Sequence, residues 1–417
     1  MHASRPASPR AQPPAFGEFV ALVAAMMSTQ ALAVDAMLPA LPRIVGELGV
    51  ANANHGQWVV TAYIAGVGLG QLFWGLVSDR VGRRPVLLCG LLLYVLASVS
   101  CALSGSFSAL LGWRLIHGLA AASAVVSRSV IRDLYSGRTL ARVMSLTFMV
   151  FLIVPILAPS LGQLILLVAP WRYVFLVFGG YGAAVAVWAY LRLPETLHPE
   201  YRLTLTVPHI VGAVRLVLGE RTSLCYTLAI AIMFGSLLSY VGMVQQIFAD
   251  VFHRPSWMPA VFALCALSMG AAAYMNSRIV ERLGMRAVSH TALLLFIGVS
   301  AVHALIAAIG LEGLSSFVVL QSATMACFAL TASNFGAMAL EPVGAVAGIG
   351  ASLQGFITTL GGALLGAAIG RLFNGSTVPL AAGALCSGLA SLLFALLAER
   401  GRLFRAHHPL ATGPGTL

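Results

Sequence analysis

Three residues able to carry a charge or pass a proton stand alone inside long apolar stretches: Asp35, Arg114 and His117. A carboxylate or guanidinium within a bilayer is costly unless it faces protein or water, so each is a candidate for function. Counting at 1.5 Å per residue, Asp35 lies about 6 Å below Pro39 and Arg114 about 8 Å below Ala109, similar depths from which the two could pair. His117, three residues on, shares roughly the helix face of Arg114. An acid, a base and an imidazole at one depth suit proton coupling. Burial and a neighbouring guanidinium act oppositely on a carboxylate, so a small rearrangement can decide whether it keeps a proton. A plainer account has Asp35 capping a helix end in headgroup water and His117 filling space with a hydrogen bond. Arg128, near the end of its segment, can snorkel to the surface.

A second charged stretch is GLVSDRVGRRP, Gly75 to Pro85, where Asp79, Arg80, Arg83 and Arg84 separate two uncharged runs. Gly75 and Gly82 let the backbone turn, and Pro85 suits a helix start, where a missing amide costs nothing. At an offset of 202 residues, RIVERLGMR (Arg278 to Arg286) sets Glu281 against Asp79, Arg282 against Arg80, Gly284 against Gly82 and Arg286 against Arg84. A turn of one kind at the same place in each half is what a duplicated unit produces.

The elements that must hold these residues follow from composition. Hydrophobic residues make up 59% of the chain and charged ones 9%, with a mean hydropathy of +0.92, against about 25% charged in soluble domains. The chain reads as an all-α integral membrane protein. Twelve apolar segments lie at about 16–38, 56–77, 85–103, 109–131, 143–169, 173–191, 223–249, 258–277, 287–310, 314–340, 343–370 and 378–398. With the N-terminus in the cytoplasm, 18 of the 24 arginines fall on the inner side. Arg43, Arg172, Arg254 and Arg371 fall outside, and Arg114 and Arg128 lie within the fourth segment. Both termini are therefore expected in the cytoplasm. The expected organisation is a disordered tail over 1–15, a six-helix half over 16–193, a linker over 194–222, a second six-helix half over 223–398 and a tail over 399–417. Within the linker, Pro208 could open a short interfacial helix carrying Ile210, Val211, Val214, Val217 and Leu218. The residues before Phe16 lack the apolar core of a cleaved signal peptide, so the first span is expected to be retained.

Other chemistries find little support. The six cysteines sit in apolar stretches without C-x2-C spacing, so they read as packing residues, and no metal or cofactor is expected. The net charge of +11 does not gather into a basic soluble domain, which argues against nucleic acid. No HExxH, GxSxG or paired catalytic carboxylates occur in the spans, so an enzyme is not expected. The second half offers neutral polar residues, Tyr240, Gln245, His303, Gln321, Asn334, Gln354 and Thr358. Tyr240, Gln245, Gln321, Asn334, Gln354 and Thr358 could line a substrate cavity or simply bond helix to helix. Pro155, Pro159 and Gly162 should bend the fifth segment.

With those residues assembled, the chain resembles the major facilitator superfamily, and more narrowly the drug:proton antiporters of the bicyclomycin-resistance (Bcr/CflA) type. GLVSDRVGRRP looks like the superfamily's signature loop between helices 2 and 3. LLGWRLIHGLAAA (110–122) resembles the helix 4 motif around its arginine, with His117 where glutamine is usual. VPILAPSLGQ (154–163) resembles the helix 5 antiporter motif, with Ala158 and Gln163 where glycine is typical. Narrower likenesses are VDAMLPALPRI (34–44), SVIRDLYSG (129–137), WRYVF (171–175), LPETL (193–197) and NFGAMALEPVGAVAGIGASLQG (334–355). The resemblance implies the twelve-helix major facilitator fold in two pseudo-repeated halves, and a functional monomer in a bacterial inner membrane. It implies alternating access, with small lipophilic toxic compounds exported against inward proton flow. Asp35, Arg114 and His117 would serve proton coupling. The charged loop (Gly75, Asp79, Arg80, Gly82, Arg83, Arg84) would latch the two halves when the cytoplasmic side is closed. Transport of a metabolite by the same fold, or a membrane sensor without transport, are the competing readings.

Overall fold

The computed structural model describes residues 14–135, 137–197 and 207–404; the expected tails up to residue 13 and from residue 405, and linker residues 198–206, lie outside the described residues. Among the described residues all regular structure is helical. Contacts divide the chain into two compact units, Met1–Thr206 and Val207–Leu417.

The first unit holds α1 (Phe16–Asp35), α2 (Leu41–Glu47), α3 (Trp58–Val81), α4 (Arg83–Ala102), α5 (Phe107–Ala121), α6 (Val126–Leu134), α7 (Gly137–Val168) and α8 (Arg172–Arg192). The second holds α9 (Val207–Gly219), α10 (Arg221–Gln246), α11 (Met258–Leu283), α12 (Met285–Ala308), α13 (Leu314–Leu340), α14 (Ala347–Gly370) and α15 (Val378–Ala398). Among the described residues, eleven helical runs are long and apolar enough to cross a membrane. The remaining expected segment is α7, a 32-residue helix containing both Pro155 and Pro159, whose described apolar stretch is Ile153–Val168. The short helix expected at Pro208 is α9, which exposes Val211, Leu216 and Leu218 and buries Ala213 and Val217.

Two segments differ from the sequence reading. The first does not end near residue 38: after a turn and a buried 3-10 segment (Leu38–Ala40), the chain continues as α2 for seven more residues. Pro39 and Pro42 interrupt the hydrogen-bonded ladder without ending the helical course. Asp35, the last residue of α1, therefore sits at a break within a longer helical run, Phe16–Glu47, and not at the end of that run. The fourth segment likewise divides, with a 3-10 turn at Ala122–Val125 between α5 and α6.

The two units pair their helices in the same way. In the first, α1 packs on α7, α3 on α5 and α4 on α8; in the second, α10 packs on α14, α11 on α13 and α12 on α15. By span order these are the first with the fifth, the second with the fourth and the third with the sixth, in both units. The duplicated turn is also visible in the backbone. Gly82 separates α3 from α4 at φ 125° and donates its N–H to the Ser78 carbonyl. Gly284 separates α11 from α12 at φ 81° and donates to Val280. A single residue reverses the chain at each place, at a φ that side chains resist.

Candidate functional site

In the first unit Arg114 is wholly buried, and each of its three nitrogens has a hydrogen-bond partner. Nε–H donates to the Val59 carbonyl (3.1 Å), Nη2–H to the Ala33 carbonyl (3.2 Å), and Nη1–H to Nδ1 of His117 (3.2 Å). The guanidinium lies over the Tyr63 ring, 4.2 Å from its centroid, with Phe175 at 5.6 Å. A desolvated cation held against aromatic faces and carbonyls is satisfied without a carboxylate.

This geometry fixes the state of His117. Arginine offers only donors, so Nδ1 must accept, and Nε2 carries the hydrogen that it donates to Ser98 Oγ at 2.9 Å. Tyr63, Tyr94 and Phe178 surround the imidazole. The tyrosines also grip α1: Tyr94 OH donates to the Thr29 carbonyl and Tyr63 OH to the Gln30 carbonyl, both at 3.1 Å. Arg114, Tyr63 and Tyr94, from three helices, thus converge on the last two turns of α1, which ends at Asp35. Sequence reasoning missed both tyrosines, because an aromatic in an apolar segment has no signature until its hydroxyl finds a partner.

Asp35 itself is 7% exposed. The ion pair with Arg114 that similar depths suggest is not formed. Arg114 reaches α1 at Ala33, two residues earlier, and its donors are taken by carbonyls and imidazole. Among the described residues Asp35 makes no ion pair and no side-chain hydrogen bond. Its neighbour Ala36 is met backbone to backbone by Gly162 of α7, where any Cβ would run into the Ala36 carbonyl. Arg43 further ties this end together by donating to the Leu166 carbonyl in the last turn of α7 at 2.7 Å. Two of the three residues of the fifth-segment motif, Pro155 and Pro159, lie two turns and one turn before Gly162.

The charged loop forms a second, denser network. Arg83 pairs with Asp79, donates to Ser78 Oγ (2.7 Å), and reaches Asp133 on α6 through Nε (3.2 Å). Glu195, just after α8, accepts the backbone N–H groups of Arg83 (2.9 Å) and Arg84 (3.2 Å). It thereby caps α4 from a distant part of the chain, where a carboxylate meets the positive end of the helix dipole. Thr196 links the two acids by donating to Asp133 at 3.0 Å. Arg84 donates to the Tyr190 carbonyl at 2.7 Å and lies against that ring. Three separate stretches, GLVSDRVGRRP, SVIRDLYSG and LPETL, therefore build one structure. Of the remaining loop residues, Gly75 supplies the carbonyl that accepts from Ser78 (2.9 Å), and Arg80 is an exposed residue in the last turn of α3.

The polar residues of the second unit are less unified. Tyr240 OH donates to Cys265 Sγ (3.5 Å) and its ring stacks on Phe262. Asn334 donates to Asn276 and to the Leu330 carbonyl, both at 2.8 Å, and Gln354 to the Gly336 carbonyl at 3.2 Å. Gln245 and Gln321 are buried. Oε1 of Gln245 and Oγ1 of Thr358 are buried without a partner among the described residues. Neither of the two recesses described in this unit is lined by any of them. The unit also holds an ionisable pair that the sequence reading did not find. His303 Nε2 and Glu312 Oε1 meet at 2.6 Å, buried, and the other carboxylate oxygen is held by Thr377. Glu312 lies between segments in sequence and is drawn inside only by folding. Among the described residues no group of three or more His, Cys, Asp or Glu is placed to hold a metal.

Residues 19–366 match the model of the Major Facilitator Superfamily. The chain is 30% identical over 347 residues to the "Uncharacterized MFS-type transporter YdgK" of Bacillus subtilis, covering 81% of this chain and 85% of that one. It is 27% identical over 349 residues to the "Bicyclomycin resistance protein homolog" of Haemophilus influenzae, covering 83% and 87%. It is 31% identical over 338 residues to the "Multidrug resistance protein MdtL" of Klebsiella pneumoniae subsp. pneumoniae, covering 79% and 83%. Among solved structures, a peptide transporter, POT, aligns with a TM-score of 0.73 at 15% identity, covering 94% of this chain and 97% of that one. The human organic anion transporter MFSD10 aligns at 0.70 and 20%, covering 94% and 100%. At such identities the structures speak for the fold alone. The paired helices, the duplicated glycine turn and a match across most of the chain together make this a member of the Major Facilitator Superfamily, a multi-pass membrane transporter and not an enzyme.

Proposed function

We propose that the chain exports small, lipophilic toxic compounds across a bacterial inner membrane in exchange for protons, as a monomer with both termini in the cytoplasm. The observation that carries the proton assignment is Asp35, a buried carboxylate that makes no ion pair and no side-chain hydrogen bond among the described residues. Such a group can take up a proton and lose it again as its surroundings change. The names of the relatives, multidrug and bicyclomycin resistance, favour drugs as cargo, and the arginine distribution favours the orientation.

In this reading Asp35 is the proton carrier, and Arg114 is a positioning residue. It holds the turn of α1 before Asp35 through the Ala33 carbonyl, with Tyr63 and Tyr94 beside it. His117 orients Arg114 and stays neutral, since a second proton on Nδ1 would break their hydrogen bond. The α3–α4 loop network stiffens one end of the first unit and serves alternating access, with Asp79 and Arg83 as its hinge of charge. Tyr240, Gln245, Gln321, Asn334, Gln354 and Thr358 remain candidates for the wall that faces substrate.

The test is ethidium export driven by an imposed proton gradient in vesicles containing the protein. Asp35→Asn is expected to abolish gradient-driven export while leaving ethidium binding in place. Full proton-driven export by Asp35→Asn would refute the assignment. A flat response across antibiotics, dyes and biocides in the unaltered protein would refute drug export.

A further inference from the structure

At the end of the second unit where α10 and α12 begin and α15 stops, a recess of about 800 Å³ opens to the surface. Its volume lies within the roughly 300–1,000 Å³ typical of ligand pockets. Arg221, Arg286, Arg400 and Arg402 line it, with Glu220, Glu341 and Glu399.

Two of the three acids face Arg286, and the third caps a helix. Glu399 is buried, accepting from Tyr226 OH (2.7 Å) and from Arg286 Nε (2.7 Å). Glu341 faces Arg286 at 3.8 Å. Glu220 caps α10 by accepting the Thr222 N–H at 3.2 Å. Arg286 is thus matched by two carboxylates. Arg221, Arg400 and Arg402 are exposed and have no acidic partner among the described residues. Arg221 spends one nitrogen on the Ala398 carbonyl (3.2 Å), which anchors it at the rim.

The backbone that presents Arg400 and Arg402 is itself unusual. Arg400 has φ 53°, followed by Gly401 at φ 76°, and Gly401 donates back to the Leu396 carbonyl at 2.8 Å. This helix ending normally carries glycine or asparagine in its left-handed position, and an arginine there is held against its preference. The segment is pinned further on, where the Phe404 N–H donates to His290 Nδ1 at 3.2 Å. Four guanidinium groups against three carboxylates, with three of the four lacking an acidic partner among the described residues, suit the recess to an anion bearing several oxygens. The adjacent α9 exposes Val211, Leu216 and Leu218, apolar surface of the kind that lies at a bilayer interface.

We infer that this recess binds the phosphate headgroup of an anionic phospholipid, with Arg221, Arg400 and Arg402 on the phosphate and α9 against the acyl region. The ends of the membrane-spanning α10, α12 and α15 at the recess place it, in this reading, at the membrane surface, where basic pockets meet lipid headgroups. The site belongs to the second unit alone and does not depend on the cargo.

The full-length protein in detergent would be offered phosphatidylglycerol, phosphatidylcholine or inorganic phosphate, and retained adducts counted by native mass spectrometry. Phosphatidylglycerol is expected to stay bound and phosphatidylcholine not. The double variant Arg400→Asn/Arg402→Gln should lower phosphatidylglycerol retention at least about fivefold, the loss expected when charge-assisted bonds are removed. Asparagine tolerates the left-handed position, so the helix ending is kept. Arg278→Gln, an exposed residue that donates to Tyr274 OH and does not line the recess, should change nothing. Equal retention of phosphatidylglycerol by the double variant, or equal binding of phosphatidylcholine, would overturn the proposal. Inorganic phosphate retained as well as phosphatidylglycerol would overturn the lipid as its source.

Discussion

Gly162 gives the sharpest test of how α7 supports Asp35. A Cβ built there would overlap the carbonyl of Ala36 and crowd its Cα, and these are backbone atoms that cannot swing aside. Gly162→Ala must therefore push α7 away from α1 beside Asp35. Overpacking costs about 1–3 kcal/mol, and a clash with backbone belongs near the upper end. Replacing glycine by alanine within a helix returns about 0.5–1 kcal/mol. The net expectation is a loss of about 2 kcal/mol. Gly180 on α8 is the internal control, since a Cβ there meets nothing within 4 Å. Gly180→Ala should gain about 0.5–1 kcal/mol from the helix alone. In thermal unfolding in detergent, a chain of this length should shift by about 1–2 °C per kcal/mol. Gly162→Ala should melt lower by a few degrees and Gly180→Ala slightly higher, and proton-driven ethidium export should fall only in the first. If both variants melt alike and export alike, the close backbone contact between α1 and α7 is not what places Asp35.

Two further outcomes follow from the networks. His117→Gln should keep export and leave its pH profile unchanged, because glutamine can still accept from Arg114; a shifted profile would return His117 to a role in proton relay. Glu195→Ala should destabilise the protein by about 1–2 kcal/mol, through loss of the α4 cap and its favourable placement at the helix dipole. Glu195→Gln should lose less, and equal unfolding temperatures for Glu195→Ala and the unaltered protein would refute the capping role.

Much of the architecture was legible in the chain because membrane insertion imposes simple rules. A span must be long and apolar, and an isolated charge inside it stands out, so the segments, Asp35 and Arg114 could all be read directly. The duplicated turn was legible for a similar reason: a one-residue reversal demands glycine, and Gly82 and Gly284 keep their spacing. Glu195 and Asp133 were visible as charges but not as partners of Arg83, since nothing local says that LPETL and SVIRDLYSG will meet GLVSDRVGRRP. His303 was visible as a polar residue, but its pairing with Glu312 was hidden because Glu312 lies between spans, where a carboxylate attracts no notice until folding buries it.

What the sequence by itself determined was which residues are expensive to bury and where the chain must turn, since hydropathy and glycine stereochemistry act locally. What only the tertiary structure decided was how each expensive group is satisfied. Among the described residues Arg114 has no carboxylate partner, because two carbonyls, an imidazole and the Tyr63 ring reach it first. Those partners come from other helices or from folding of the same turn, and their arrival depends on packing geometry that no spacing along the chain encodes. By that same packing Asp35 is left buried and without an ion pair among the described residues, which is why it, and not the expected ion pair, is the feature on which the proposed chemistry rests.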